Sequence, residues 1–412
     1  MFSSLLPTGR SLLLLLVSEQ LVVPTVWSFQ TPSHAQIIDQ KSFNVLSVTK
    51  PATEVNGTNV FIPPGSTLES LLERPFHVYD DEFLEILGEK PHLTRIAHSS
   101  KDPLFHEAVV WYQKSNEVFF VQNAGSPDAG TGLNKSAIIE KVDLAEVAAV
   151  SNLTNAVGRV KVQTVPSSPM VINPNGGTNF RGQIVYGGEG QGSNTGPALW
   201  IMNPKPPYNT TILLNNYFGR QFNSLNDIAV HLANKDIYFI DVTYGYLQDF
   251  RPAPGLPNQV YRFNPDTGAV TVAADGFYLP NGLTFSPNGE YAYVTDTGSA
   301  PGFYGYDYTR PATIYRFDVA EDGTFENRKT FAFVSPGIPD GINCDSKGNV
   351  YAGTGDGVQV WNPSGKLIGK IFLGTTSASF NFVGNGGIII AAETDLYYAT
   401  VAAHGAYIES EM

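Results

Sequence analysis

Short apolar segments separated by polar turns recur along most of the chain. Each unit starts with a polar residue, runs through an apolar strand, turns, and returns as a second apolar strand. This alternation, with turn residues between the runs, predicts β-strands joined in hairpins. The clearest copies are LNDIAV from Leu225, PNGLTF from Pro280 and PDGINC from Pro339. Weaker copies begin near His106, Pro174 and Phe380.

The residues that lead these units recur at a regular spacing. They are Glu107, Asn175, Asn226, Asn281, Asp340 and Asn381, separated by 68, 51, 55, 59 and 41 residues. Such periods are typical of propeller blades with loop insertions. Outer strands such as Gln259–Phe263 follow the inner pairs, which gives four strands per unit. The pattern therefore predicts an all-β, six-bladed β-propeller. A sandwich or jelly roll has no reason to repeat a polar lead residue in every unit.

Residues 36–104 precede the repeats and are predicted to be an N-terminal extension packed on the propeller of residues 105–412. Within the extension, residues 80–88 combine an acidic first turn, apolar spacing and a Gly stop, which predicts one short helix. A strand of the extension, or the end of the chain, is expected to complete the last blade.

Residues 1–35 have the features of a secretory signal, with Arg10 before an apolar run from Leu12. Ser18, Glu19 and Gln20 interrupt that run, so it is too short for a membrane span. We expect cleavage near Ala35 and a secreted, extracellular protein, although an ordinary N-terminal helix stays open. Four glycosylation sequons agree with this route: Asn56, Asn134, Asn152 and Asn209.

Composition narrows the function. The chain has 25 Lys and Arg residues against 38 Asp and Glu residues, and its net charge of −13 argues against nucleic acid as a partner. The one cysteine, Cys344, excludes an internal disulfide and a zinc site with two thiolates from this chain. It is expected to be a small buried residue. Neither the Gly-x-Ser-x-Gly motif nor a phosphate-binding Gly-x-x-x-x-Gly-Lys occurs.

The lead residues also suggest chemistry. The first residue of each inner strand points at one end of the central channel, so leads far apart in sequence converge there. The leads are carboxylates and amides, the oxygen donors that suit hard cations, above all Ca²⁺. Asn-Gly and Asp-Gly are also common turn dipeptides. Their shared register in the repeat is what favours a metal site.

Several segments resemble the gluconolactonase/regucalcin (senescence-marker-protein) family of six-bladed propellers, especially the secreted fungal lactonohydrolases that open aldonolactones and D-pantoyl lactone. The resemblance covers nearly all of the chain after the signal region, and it is carried by the segments at 35–43, 105–112, 118–125, 215–227, 279–282 and 338–341. By motif, it implies a calcium site at Glu107, Asn226, Asn281 and Asp340. Another divalent cation such as Zn²⁺ or Mn²⁺ stays open.

The resemblance implies hydrolysis of a lactone, with the metal polarising the carbonyl. Asp340 is the first choice of base for the attacking water, and Glu107 is the second. Strand alternation predicts that His106 turns away from the channel. The predicted substrate-binding residues are Asn175, Glu189, Gln191, Asp241 and Asp296. Two alternatives remain: another ester (an aryl ester, an organophosphate or a mycotoxin lactone), and a secreted propeller that binds calcium or a glycan without catalysis.

Overall fold

The computed structural model of the protein describes residues 1, 30–49, 51, 60–100, 102–122, 130–384 and 386–406. Most of the predicted signal region, residues 2–29, and the sequon at Asn56 lie outside the described residues. The first described segment contains short elements in the order β1 (Ala35–Ile37), a 3₁₀ helix (Gln40–Phe43), α1 (Leu68–Glu73), β2 (Phe76–Val78), α2 (Glu82–Leu87) and β3 (His92–His98).

The remaining strands form six blades around a central channel. Blade 1 has β4 (Glu107–Tyr112), β5 (Glu117–Val121), β6 (Ile139–Asp143) and β7 (Gln163–Val165), with α3 (Leu144–Ala149) after β6. Blade 2 has β8 (Pro174–Phe180), β9 (Gln183–Gly188), β10 (Ala198–Met202) and β11 (Thr210–Leu214). Blade 3 has β12 (Leu225–Val230), β13 (Ile237–Asp241), β14 (Gln259–Phe263) and β15 (Val270–Ala274), with α4 (Tyr244–Leu247) after β13.

Blade 4 has β16 (Pro280–Phe285), β17 (Tyr291–Asp296), β18 (Thr313–Val319) and β19 (Phe325–Phe333), with a 3₁₀ helix (Gly302–Tyr304) after β17. Blade 5 has β20 (Ile342–Cys344), β21 (Val350–Thr354), β22 (Gly357–Trp361) and β23 (Leu367–Phe372). Blade 6 has β24 (Ser379–Phe382), β25 (Gly387–Ala392) and β26 (Asp395–Thr400). Within each blade the strands are antiparallel and follow chain order from the channel outward. The predicted six-bladed propeller is confirmed.

The segment before blade 1 is built into two blades. Strand β3 pairs antiparallel with β26, from His92 opposite Thr400 to His98 opposite Asp395, and so supplies the outer strand of blade 6. Strand β2 pairs antiparallel with β23, and β1 adds parallel to β2, which widens blade 5 to six strands. The ring is therefore closed by backbone hydrogen bonds between the two ends of the chain.

Aromatic side chains fill the spaces between blades. Tyr238 of blade 3 is fully buried, and its ring centroid lies 5.1 Å from that of Phe285 and 5.4 Å from that of Phe325, both in blade 4. Large rings suit this position because neighbouring blades diverge away from the channel and the gap must be filled to close-packed density. Cys344 is buried in the same kind of interface, as expected. No helix in the described part of the chain is long and apolar enough to cross a membrane.

Candidate functional site

Five of the six predicted lead residues surround one cavity at one end of the channel. Glu107, Asn175, Asn226, Asn281 and Asp340 line this cavity of about 340 Å³. Each lies at the start of the inner strand of its blade, and all five are buried. The sixth lead is different. Asn381 lies within β24, and its Nδ2 donates to the Val109 carbonyl at 2.9 Å, so it joins blade 6 to blade 1 further along the channel.

A β-bulge follows the start of four inner strands. The pairing register shifts after Glu107, Pro174, Leu225 and Pro280. A bulge places two residues opposite one and re-aims a side chain. The leads therefore escape simple strand alternation and point into the channel. The repeated bulge explains why one register of the repeat carries the donors of the site.

The glycines that follow three leads bring the blades close together. A Cβ on Gly176 would lie 2.5 Å from the carbonyl oxygen of Asn226, and one on Gly282 would lie 2.4 Å from that of Asp340. A Cβ on Gly341 would lie 2.7 Å from the carbonyl oxygen of Ala378. These Asn-Gly and Asp-Gly pairs are therefore not hairpin turns. Each glycine makes room for the backbone of the next blade at the channel.

Negative charge is concentrated around the cavity. Burial raises the pKa of Glu107 well above its ordinary value; the neighbouring Asp340 raises it further, and His106 opposes the shift. Burial also raises the pKa of Asp340 to about 6, although His106 lowers it. Burial raises the pKa of Glu189 to about 7 despite the hydrogen bond from Ser224. Several carboxyl groups thus share a site that lacks matching positive charge.

His106 lies at the cavity, so the expectation that it turns away was wrong. Its Nε2 lies 3.4 Å from Glu107 Oε1, and its Nδ1 lies 3.0 Å from Glu393 Oε1. Alternation fails because His106 precedes β4 and the bulge follows at once, with Ala108 at a φ of 48°. Burial lowers the pKa of His106, but the carboxylates of Glu393 and Glu107 outweigh it and raise that pKa to about 10.

Glu393 and Tyr244 also line the cavity and were missed by the sequence analysis. Glu393 directly follows β25, the position that Glu189 occupies after β9, so its register was a usable signal. Tyr244 opens the short helix α4, and its hydroxyl is hydrogen-bonded to Thr297 Oγ1. Nothing in the local sequence distinguishes Tyr244 from the chain's other tyrosines.

The remaining predicted substrate-binding residues divide into two groups. Asn175 and Glu189 line the cavity, and Glu189 Oε1 accepts from Ser224 Oγ at 2.7 Å. Gln191, Asp241 and Asp296 lie outside the cavity lining, which corrects the expectation for these three. Their side chains hold loops instead, because each is engaged by the backbone. Gln191 Nε2 donates to Gly132 and Lys135 carbonyls, Asp241 accepts from the Asn223 and Ser224 amides, and Asp296 accepts from the Tyr278, Leu279 and Gly298 amides.

The donor set suits a divalent cation. Three buried oxygens, Asn175 Oδ1, Asn226 Oδ1 and Asp340 Oδ1, have no hydrogen-bond partner among the described residues. Buried polar atoms are normally paired, so oxygens left open toward one cavity indicate a ligand. In addition, ligand atoms of His106, Glu107 and Asp340 lie within 4.8 Å of one another. Two carboxylates with amide oxygens match the preference of hard cations.

The comparisons with known proteins agree with this fold and site. Residues 192–390 match the family model described as SMP-30/Gluconolactonase/LRE-like region. The chain resembles this family, as the sequence predicted. A lactonohydrolase of Aspergillus oryzae, oryL, is 29% identical over 340 residues, which cover 78% of this chain and 73% of the relative.

Solved structures place the chain among gluconolactonase-like propellers by fold. The gluconolactonase XC5397 of Xanthomonas campestris superposes with a TM-score of 0.61 at 22% identity, covering 79% of this chain and 94% of that one. A regucalcin of Agrobacterium tumefaciens, described as a calcium-binding protein, superposes with a TM-score of 0.51 at 15% identity, covering 76% of this chain and 97% of that one. At these identities the superpositions bear on the fold alone.

Proposed function

We propose that the protein is a calcium-dependent lactonase, a carboxylic ester hydrolase that opens an aldonolactone or a lactone of the D-pantoyl type. The observation that carries the proposal is the set of partnerless buried oxygens on Asn175, Asn226 and Asp340 around one cavity. The names of the relatives in this family, lactonohydrolase and gluconolactonase, supply the reaction class.

Glu107, Asn226, Asn281 and Asp340 would hold the cation through side-chain oxygens. When bound, the cation supplies electrophilic polarisation of the lactone carbonyl and stabilises its developing negative charge. Asn175 is close enough in the cavity to hold a substrate oxygen, and Glu189 accepts from a substrate hydroxyl. These residues orient the ring so that its carbonyl carbon faces the attacking water.

Asp340 is the proposed base. Its Oδ1 is buried, faces the cavity and has no partner, so it is placed to accept the proton as the oxygen of water bonds to the carbonyl carbon. The bond between the carbonyl carbon and the ring oxygen then breaks, and that proton passes to the ring oxygen. The product is the open hydroxy acid, and Asp340 is regenerated. Glu107 is the second candidate, since its carboxylate lines the same cavity.

The test is an assay of purified protein against D-pantoyl lactone and glucono-1,5-lactone, with acid release followed by pH-stat. Complete removal of metal by a chelator should abolish hydrolysis, and added Ca²⁺ should restore it. An aryl ester and an organophosphate triester belong in the same panel, because they would use the same polar cavity. Hydrolysis that survives full metal removal would refute the cation's role. Calcium binding without turnover of any ester would favour a binding propeller.

We also propose that the protein is secreted and glycosylated. Asn134, Asn152 and Asn209 are all exposed, as modification requires. Expression of the full chain in a fungal host, followed by peptide mass spectrometry of the medium, would test this. Secretion predicts a mature N-terminus near Ala35 and glycans on these asparagines, whereas a chain retained in the cells with residues 1–35 intact would contradict it.

A further inference from the structure

Large aromatic side chains are exposed beside the cavity, on the side formed by blades 3 and 4. The exposed fractions of Tyr246, Phe303, Tyr304 and Tyr306 are 44%, 56%, 62% and 41%. Single exposed apolar residues are common on protein surfaces, but a contiguous group marks a binding surface. We call these four residues the aromatic rim.

The aromatic rim is continuous with the wall of the cavity. Phe303 and Tyr304 lie in the chain between Gly302 and Tyr306, both of which line the cavity. On the facing loop, Tyr246 lies between two other cavity-lining residues, Tyr244 and Gln248. A molecule bound over the oxygen donors would therefore extend toward these rings.

The loops that carry the rim are fixed against each other. A Cβ on Gly302 would lie 2.6 Å from the carbonyl oxygen of Leu247, so the two loops meet backbone to backbone. The Tyr304 hydroxyl donates to Asp249 Oδ1 at 3.4 Å. The rings of Tyr306 and Tyr308 are stacked, with centroids 5.8 Å apart. The rim is thus a preformed surface, and preorganisation reduces the ordering cost of binding.

The rim is apolar where the cavity floor is charged. Asp307 and Arg310, the charged residues that follow it, pair with each other through Arg310 Nε and Asp307 Oδ2 at 3.2 Å. An ionised group on the ligand would therefore gain little at the rim. Neutral aromatic faces instead favour hydrocarbon, because burial of apolar surface is favourable on both partners.

We propose that the aromatic rim binds an apolar substituent of the substrate, an alkyl chain or an aryl group attached to the lactone ring. The ring itself lies over the oxygen donors of Asn226 and Asp340, and the substituent lies against Phe303 and Tyr246. The inference rests on the proposed lactone hydrolysis and names its substrate class. A bare, fully hydroxylated sugar lactone would leave the rim uncovered.

The experiment measures kcat/KM for γ-lactones whose side chain grows from methyl to heptyl. Complete burial of a methylene corresponds to about a fourfold gain in affinity. We expect kcat/KM to rise at least about tenfold across the series in the unmodified protein. Phe303→Ala and Tyr246→Ala should each reduce the heptyl-to-methyl ratio by about fivefold. A ratio that does not change with chain length would overturn the proposal.

A matched control and a binding measurement keep the two proposals separate. Phe333 is 67% exposed on the outer strand β19 and does not line the cavity, so Phe333→Ala should preserve the ratio. The γ-lactam analogues of the same series report binding without ring opening, and calorimetry gives their dissociation constants. Binding that tightens with chain length, without turnover of any lactone, supports the rim and refutes the hydrolysis. Turnover with lactam affinities independent of chain length does the reverse.

Discussion

His106 Nδ1 lies 3.0 Å from Glu393 Oε1, and this contact joins residues 287 positions apart across the seam between blades 6 and 1. It is the one charge-compensated contact that we find within the cavity lining of the described residues. The ring of His106 also approaches the Glu107 carboxylate. The pair therefore couples closure of the ring to the electrostatics of the site.

Replacing Glu393 with Gln should destabilise the protein in a pH-dependent way. The pKa of His106 is raised to about 10, so its stabilising contribution is complete below pH 6.5 and is lost as the pH rises through about 10. In chelator-treated protein we expect a loss of about 3 kcal/mol near pH 6, because the variant leaves a buried imidazolium with less compensation. Urea unfolding at about pH 6 and pH 10.5 measures this. The exposed Glu290→Gln is the control, and a pH-independent loss would contradict the account.

Asn226→Ala should abolish tight cation binding without unfolding the propeller. Asn226 Oδ1 has no protein partner, so its loss removes a ligand and leaves no broken internal hydrogen bond on that oxygen. Asn381→Ala is the matched change, since that amide bonds to Val109 in the same channel but away from the cavity. Calorimetric Ca²⁺ titration should show binding lost in the first variant and kept in the second. Equal effects in both variants would mean that Asn226 acts only in the structure.

Asp340→Asn should reduce kcat by at least about a hundredfold, because general base catalysis typically contributes that much. The amide keeps the size and one oxygen of the side chain, so the fold should persist. Circular dichroism and pH-stat assays on the same sample check both points. Asp266→Asn, at an exposed carboxylate paired with Arg181, is the control and should leave kcat unchanged. Activity retained in Asp340→Asn would transfer the role of base to Glu107.

Gly282→Ala should damage the site through the backbone. The added methyl would lie 2.4 Å from the carbonyl oxygen of Asp340, so blades 4 and 5 must separate where the cation donors meet. We expect a loss of about 3 kcal/mol in unfolding free energy, within the range for overpacking, together with loss of activity. Gly255→Ala, with no heavy atom within 4 Å of the new Cβ, should be nearly neutral. Thermal unfolding of both variants distinguishes the two cases.

The sequence predicted the fold because the period is long and each inner strand is strongly apolar. It also predicted five cavity residues, since the lead positions share one register. It failed where the backbone departs from regular geometry. The position of His106 follows from the bulge at Ala108, and Glu393 has a φ of 61°, neither of which a two-residue alternation can represent. Asp241 and Asp296 show the opposite error, because loop amides and a metal use the same carboxylate chemistry.

Closure of blade 6 by β3 has a consequence for how the protein folds. Arg95 and Asp395, which are hydrogen-bonded across this seam, are 300 residues apart in the chain. Contacts this distant in sequence slow folding, because the loop entropy must be lost before the contacts form. During synthesis β3 emerges early and has no partner until β26 has been made. For most of translation its unpaired edge is therefore exposed to other chains, and the propeller becomes complete only at the last step.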